Sequence, residues 1–218
     1  MKLLKTSFSV HTPFLFTLEF RKDLLWWQDF LYQFNGKRLL HNKVPIADVE
    51  TDASNEAVGF YFPGNWAYSF LPADAPDIAP LHINFKEAFA IFLAARRWAP
   101  LWANHHVIVK CDNQAAVAMI NKGTTANPIV MTWLRDLFWM SVIHNFRITA
   151  VYIPGVDNIR ADCISRMHNG PALLELYSYL CQGQAPPTVS SKLLVDHMSP
   201  TSAIFLTSRF CSGLQGAC

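Results

Sequence analysis

Four acidic residues suggest chemistry by their type and order: Asp52 in "ETDAS", Glu87 in "NFKEAFA", Asp112 in "KCDNQ" and Asp162 in "RADCIS". Brought together without basic partners they would repel one another, and an oxygen-rich site of that kind is what Mg²⁺ or Mn²⁺ prefers. Two such ions roughly 3.5–4 Å apart suit phosphodiester cleavage, one activating water and the other steadying the leaving oxygen. Taken singly, each residue has an ordinary role. Asp52 suits a turn, Asp112 a helix cap, Glu87 a capping box with Asn84, and Asp162 the solvated face of a short helix. Their joint placement is what favours a site.

That placement depends on the elements around them. "IADVETDAS", "AVGFYFPGN" and "WAYSFLP" alternate and are rich in branched and aromatic residues, which predicts three strands in an antiparallel meander turning at Pro63-Gly64-Asn65. From Phe85 to about Trp102, Glu87, Ile91, Ala94 and Trp98 form one stripe of a helix with Asn84 as its N-cap. "HVIVKCDN" reads as a fourth strand, running into a helix "QAAVAMINKG" that Gly123 closes. "NPIVMTWLRDLFWMSVIHNF" reads as a further helix with Pro128 near its start. "RITAVYIPG" is the fifth strand, and Asp157 caps a last helix reaching about Met167. This order predicts an α/β domain with a five-stranded mixed sheet, three antiparallel strands followed by crossover helices, flanked by helices. If the first and fourth strands are parallel neighbours, Asp52 and Asp112 lie about 5 Å apart sideways at the carboxyl ends, where open α/β sheets hold ligands.

The chain divides accordingly into an extension over 1–20, an amphipathic helix and basic linker over 21–45, the α/β domain over 46–168, and a partly linker-like extension over 169–218. In the helix, Leu24, Trp27, Leu31 and Phe34 share one stripe; in the last segment "PALLELYSYLCQ" reads as a short helix before "GQAPPTVSS". A hydrophobic content of 51% provides for a core, and the net charge of +2 leaves any nucleic-acid footprint to be local. Cys111, Cys163, Cys181, Cys211 and Cys218 form no CxxC pair, which suits a reduced, intracellular protein, cytoplasmic or nuclear. In "MKLLKTSFSVHTPFLFTLEFRK" His11 and Pro13 interrupt the apolar region a signal peptide needs, and no run is long and uncharged enough for a bilayer.

"ETDAS", "HINFKEAFAI", "VKCDNQAAVAMINKG" and "YIPGVDNIRADCISR", in this order, resemble the ribonuclease H domain of retrotransposon reverse transcriptases, DIRS-type and gypsy-like elements in particular. The resemblance covers 46 to about 168, and "DLLWWQDFLYQFNGKRLL" is similar to the connection preceding that domain. It implies a ribonuclease H-like fold and metal-dependent cleavage of the RNA strand of RNA–DNA hybrids. Asp52, Glu87, Asp112 and Asp162 would then be both catalytic and metal ligands for Mg²⁺, with Mn²⁺ as an alternative.

Such an enzyme senses 2′-hydroxyls in the wide minor groove, for which Asn113 and Gln114 are candidates, while Lys37, Arg38, Lys43, Lys122 and Arg160 would meet phosphates or remain solvated. Trp98, Trp133, Phe138 and Trp139 read as core rather than base-stacking platforms, and His144 and His168 as surface residues. No Tyr-x-Asp-Asp polymerase motif occurs, so the chain is expected to be part of such a polyprotein, or derived from one, with the polymerase portion as a partner and no membrane. The competing reading is a catalytically inactive module that keeps the fold and binds nucleic acid or a partner. A transposase or integrase fits less well, because the last helix offers an aspartate where those sites use a glutamate.

Overall fold

The computed structural model describes residues 17–33 and 44–180. The chain forms two compact units, Met1–Arg38 and Leu39–Cys218. In the first, helix α1 runs over Leu18–Gln33, starting earlier than its apolar stripe suggests. Phe34, Lys37, Arg38, Lys43 and the "GQAPPTVSS" segment lie outside the described residues.

The second unit is α/β. Strands β1 (Ile46–Ala53), β2 (Ala57–Phe62), β3 (Asn65–Phe70), β4 (His106–Cys111) and β5 (Arg147–Tyr152) make an open mixed sheet in the order β3-β2-β1-β4-β5. The first three pair antiparallel, whereas β1–β4 and β4–β5 are parallel, as hairpins followed by helical crossovers require. The helices are α2 (Leu71–Asp74), α3 (Ile83–Trp98), α4 (Gln114–Lys122), α5 (Pro128–Ile143), α6 (Ile159–Arg166) and α7 (Pro171–Leu180). Among the described residues, no helix is long and apolar enough to cross a membrane.

Alternation along β1 decides what each face of the sheet does. Val49, Thr51 and Ala53 are buried on one face, while Glu50 and Asp52 are buried on the other beneath α6, whose Arg160 and Ser165 bond to them. The apolar core fills the α3 side, where Phe89 and Phe92 meet Trp133 of α5 and Trp98 packs edge-on to Phe60. Trp98 and Trp133 are core as expected, but Phe138 is exposed and Trp139 only half-buried, because α5 packs one face on α3 and turns the other outward.

Helix termini differ from expectation in ways that matter. His82, not Asn84, caps α3: its ring nitrogen accepts from the Asn84 N–H at 3.3 Å, so Glu87 lies a turn inside the helix and plays no capping-box role. The helix also stops at Trp98 rather than near Trp102. Asp157 belongs to a 3₁₀ turn, Gly155–Asp157, and does not cap α6; Asn158 precedes the helix and instead donates its Nδ2 to the Thr51 carbonyl at 2.9 Å.

Gly59 sets how closely α6 approaches. It is the cross-strand partner of Asp52, and a Cβ there would lie 2.4 Å from the Ser165 nitrogen and 2.7 Å from the Ala161 carbonyl. Only glycine lets the helix backbone rest on the sheet at that point.

Candidate carboxylate site

Asp52 and Asp112 meet because β1 and β4 are parallel neighbours. Glu50 pairs with Lys110, and carrying that register on by two residues puts Asp52 level with Asp112, one inter-strand spacing of about 4.8 Å away. Asp112 is not the cap of α4. Asn113 takes that role, its Oδ1 accepting from the Ala116 N–H at 3.0 Å, which leaves the Asp112 carboxylate to the sheet edge. The loop after β5 closes against it, so that a Cβ on Gly155 would come within 3.0 Å of Asp112 Oδ2.

Glu87 arrives from α3 and is 3% exposed. It accepts from the Ala53 backbone N–H, and the Cys111 thiol donates to its Oε2 at 3.7 Å. Ligand atoms of Glu87, Cys111 and Asp112 lie within 4.8 Å of one another. Asp162 arrives from α6, whose docking on Gly59 also carries Ser165 to Asp52, where its hydroxyl donates to Oδ2. An open cleft of about 590 Å³ has Asp52, Glu87, Asp112 and Arg166 in its lining.

The carboxylates repel one another: Asp52 and Asp112 act on Glu87, and Asp162 acts on Asp52 and Asp112. Burial raises Asp52 to about 6 against the bond from Ser165, and the charges of Asp112 and Asp162 add to the rise. Burial, then the charges of Asp52 and Asp112, pushes Glu87 up to about 9. Asp112 is raised by burial, with Asp162 contributing. Burial and the neighbouring Glu87 keep the Cys111 thiol protonated, so it acts as a donor orienting Glu87 rather than as a thiolate ligand. Such a group holds either protons or cations: removing water from several like charges is unfavourable without one or the other.

Arg166, one helical turn beyond Asp162, places its Nε 2.5 Å from Asp162 Oδ1. Burial opposes its charge but is outweighed by Asp162, with Asp52 and Asp112 adding to the rise in its pKa. His168 also lines the cleft. Its Nε2 lies 3.3 Å from Glu56 and its ring packs edge-on to Phe70, so it is not the surface residue expected.

The candidate nucleic-acid residues fare unequally. Asn113 lines the cleft, yet its amide is already engaged, with Nδ2 on Asn84 Oδ1 at 2.9 Å. Gln114 is exposed at the start of α4, whereas Lys122 is exposed at its far end, about 12 Å along the helix axis. Arg160, expected to meet phosphate, is engaged within the protein. Its guanidinium bonds Asp48 at 2.6 and 3.0 Å, bonds the buried Glu50, and lies 4.1 Å from the Tyr61 ring centroid. Its donors clamp α6 to β1.

Sequence reasoning missed Cys111, Ser165, Arg166 and His168. Ser165 and Arg166 had a signal, since they stand three and four residues after Asp162 and share its helix face. No match to the chain was found among protein-family models or curated proteins.

Proposed function

We propose that the chain is a metal-dependent endonuclease of the ribonuclease H type that cleaves the RNA strand of RNA–DNA hybrids, and that it belongs to, or derives from, a retrotransposon reverse transcriptase. The observation that carries this reading is that Asp52, Glu87 and Asp112, from two strand ends and a helix, line one open cleft, with the charge of Asp162 on α6 acting on Asp52 and Asp112. The β-β-β-α-β order, with parallel β1, β4 and β5, is compatible with a ribonuclease H-like fold.

The donor set fits hard divalent cations. It is built of carboxylate oxygens, and its one sulfur stays protonated. Asp52, Glu87, Asp112 and Asp162 would hold Mg²⁺ or Mn²⁺, which when bound supplies activation of water and charge stabilisation of the leaving oxygen. The protein's part is to keep these oxygens in place. Ser165 fixes the Asp52 carboxylate, Cys111 orients Glu87, and the Asn113 cap leaves Asp112 free of a capping role. Gln114, exposed at the start of α4, would supply a contact to a 2′-hydroxyl in the wide minor groove of a hybrid.

Substrate class tests the proposal. The purified chain with Mg²⁺ or Mn²⁺ is expected to cut the RNA of a hybrid while leaving duplex DNA and duplex RNA intact, with Asp112→Asn as the inactive control. Binding of hybrid without cleavage above that control would favour the non-catalytic module.

A further inference from the structure

Metal readings of a carboxylate cluster leave open what balances the charge before any cation arrives, and the structure offers a specific group. We propose that Arg166 is the built-in counter-ion of the cleft, competing with a divalent cation for Asp162 and thereby setting the cation concentration at which the site fills. The inference rests on the metal-binding reading above.

Three observations support it. The first is geometry: Arg166 lines the cleft, and its Nε sits 2.5 Å from Asp162 Oδ1. The second is reach. An ordinary surface pair one turn apart on a helix joins two residues, but Arg166 also shares the cleft lining with Asp52 at the end of β1 and Asp112 at the end of β4. The third is what the other basic groups nearby do. His168 faces Glu56 at 3.3 Å, and the Lys86 ammonium donates to the Asn55 carbonyl at 2.5 Å. Among the described residues, Arg166 is therefore the cleft-lining cation paired directly to a proposed ligand.

Chemistry makes the pairing competitive rather than supportive. A guanidinium does not lose its proton in proteins, so its charge persists at every pH where carboxylates ionise. It occupies an oxygen of Asp162 that a cation would need, and at any position near the cleft it repels a second positive charge. The side chain is long and half-exposed, at 50%, so it can swing outward without unfolding α6.

Mn²⁺ alone is the probe, with free Mn²⁺ followed by electron paramagnetic resonance and thermal unfolding measured in chelator. Arg166→Gln is expected to bind Mn²⁺ about five- to tenfold more tightly than wild type, as loss of one modest charge interaction implies. The metal-free variant is expected to melt about 2–4 °C lower, because its carboxylates have lost their counter-ion. Arg166→Lys, which keeps the charge, is expected to bind Mn²⁺ within about twofold of wild type. Damage to the fold would weaken binding, so a gain in affinity is not a structural artefact. Equal or weaker binding by Arg166→Gln overturns the competition while leaving the metal site standing. Absence of Mn²⁺ binding by wild type and both variants overturns the metal reading and this inference with it.

Discussion

The Ser165 hydroxyl donates to Asp52 Oδ2 across 113 residues of chain, tying the helix that carries Asp162 to the strand that carries Asp52. That bond opposes the burial and repulsion that raise Asp52 to about 6. Ser165→Ala is therefore expected to move the pH at which the site takes up Mg²⁺ or Mn²⁺ upward by roughly one unit, the worth of one hydrogen bond to a charged group. Mn²⁺ titrations at a series of pH values check this; an unshifted midpoint would show that the bond does not tune Asp52.

Gly59 and Gly155 are expected to fail differently. At Gly59 an added methyl meets backbone atoms of Ser165 and Ala161, which cannot move aside without lifting α6. Gly59→Ala should cost about 3 kcal/mol and lower Tm by about 6–12 °C. At Gly155 it meets the Asp112 carboxylate at 3.0 Å, a side chain that can rotate. Gly155→Ala should leave Tm nearly unchanged and weaken cation binding, which calorimetric titration would show beside a melting curve.

Arg160 is expected to act on stability rather than on substrate. Its partner Glu50 is 3% exposed, so Arg160→Ala strands a buried charge at a cost of about 3–5 kcal/mol. Arg160→Met paired with Glu50→Gln should recover much of that loss. Denaturant unfolding of the single and double variants measures it, and a salt-dependent loss of hybrid binding without loss of stability would restore the phosphate role.

Stability of the metal-free chain is expected to fall as pH rises. Asp52 moves from an ordinary value of 3.8 to about 6, and Glu87 from 4.5 to about 9, so the folded chain binds more protons than the unfolded one between those limits. Asp52 alone then contributes about 3 kcal/mol that is present below pH 4 and lost by pH 6, and Glu87 continues the loss toward pH 9. In chelator Tm should be higher at pH 5 than at pH 8, Mg²⁺ should reverse much of the difference, and Asp52→Asn should be more stable than wild type at pH 8. A Tm that climbs from pH 5 to pH 8 in chelator would contradict the burial of these groups.

Much of this arrangement was legible in the sequence because it follows from periodicity. Alternation gave the five strands, and the lengths of their connections separated hairpins from crossovers; that β4 lies beside β1, and so Asp112 beside Asp52, was only a condition in the sequence, and the structure meets it. The same alternation held an unread clue: Asp48 and Glu50 share a face with Asp52, so a basic residue on the helix covering them is drawn into pairing, as Arg160 is. The Cys111–Glu87 contact was not legible, since it depends on how α3 lies across β1, the neighbour of β4, rather than on either segment. Capping was misplaced at α3 and α6 because Asn84 and Asp157 have suitable side chains, while tertiary contacts chose where each helix begins.

The most direct measurement of the central claim is cleavage of an end-labelled RNA–DNA hybrid with Mg²⁺ and with Mn²⁺, comparing wild type with Asp52→Asn. The account predicts metal-dependent cuts confined to the RNA strand and a loss of at least about a hundredfold in the variant, as removal of a ligand that stabilises transition-state charge implies. A folded wild type that leaves the hybrid intact with either ion, or an Asp52→Asn variant that cuts as fast, would contradict it.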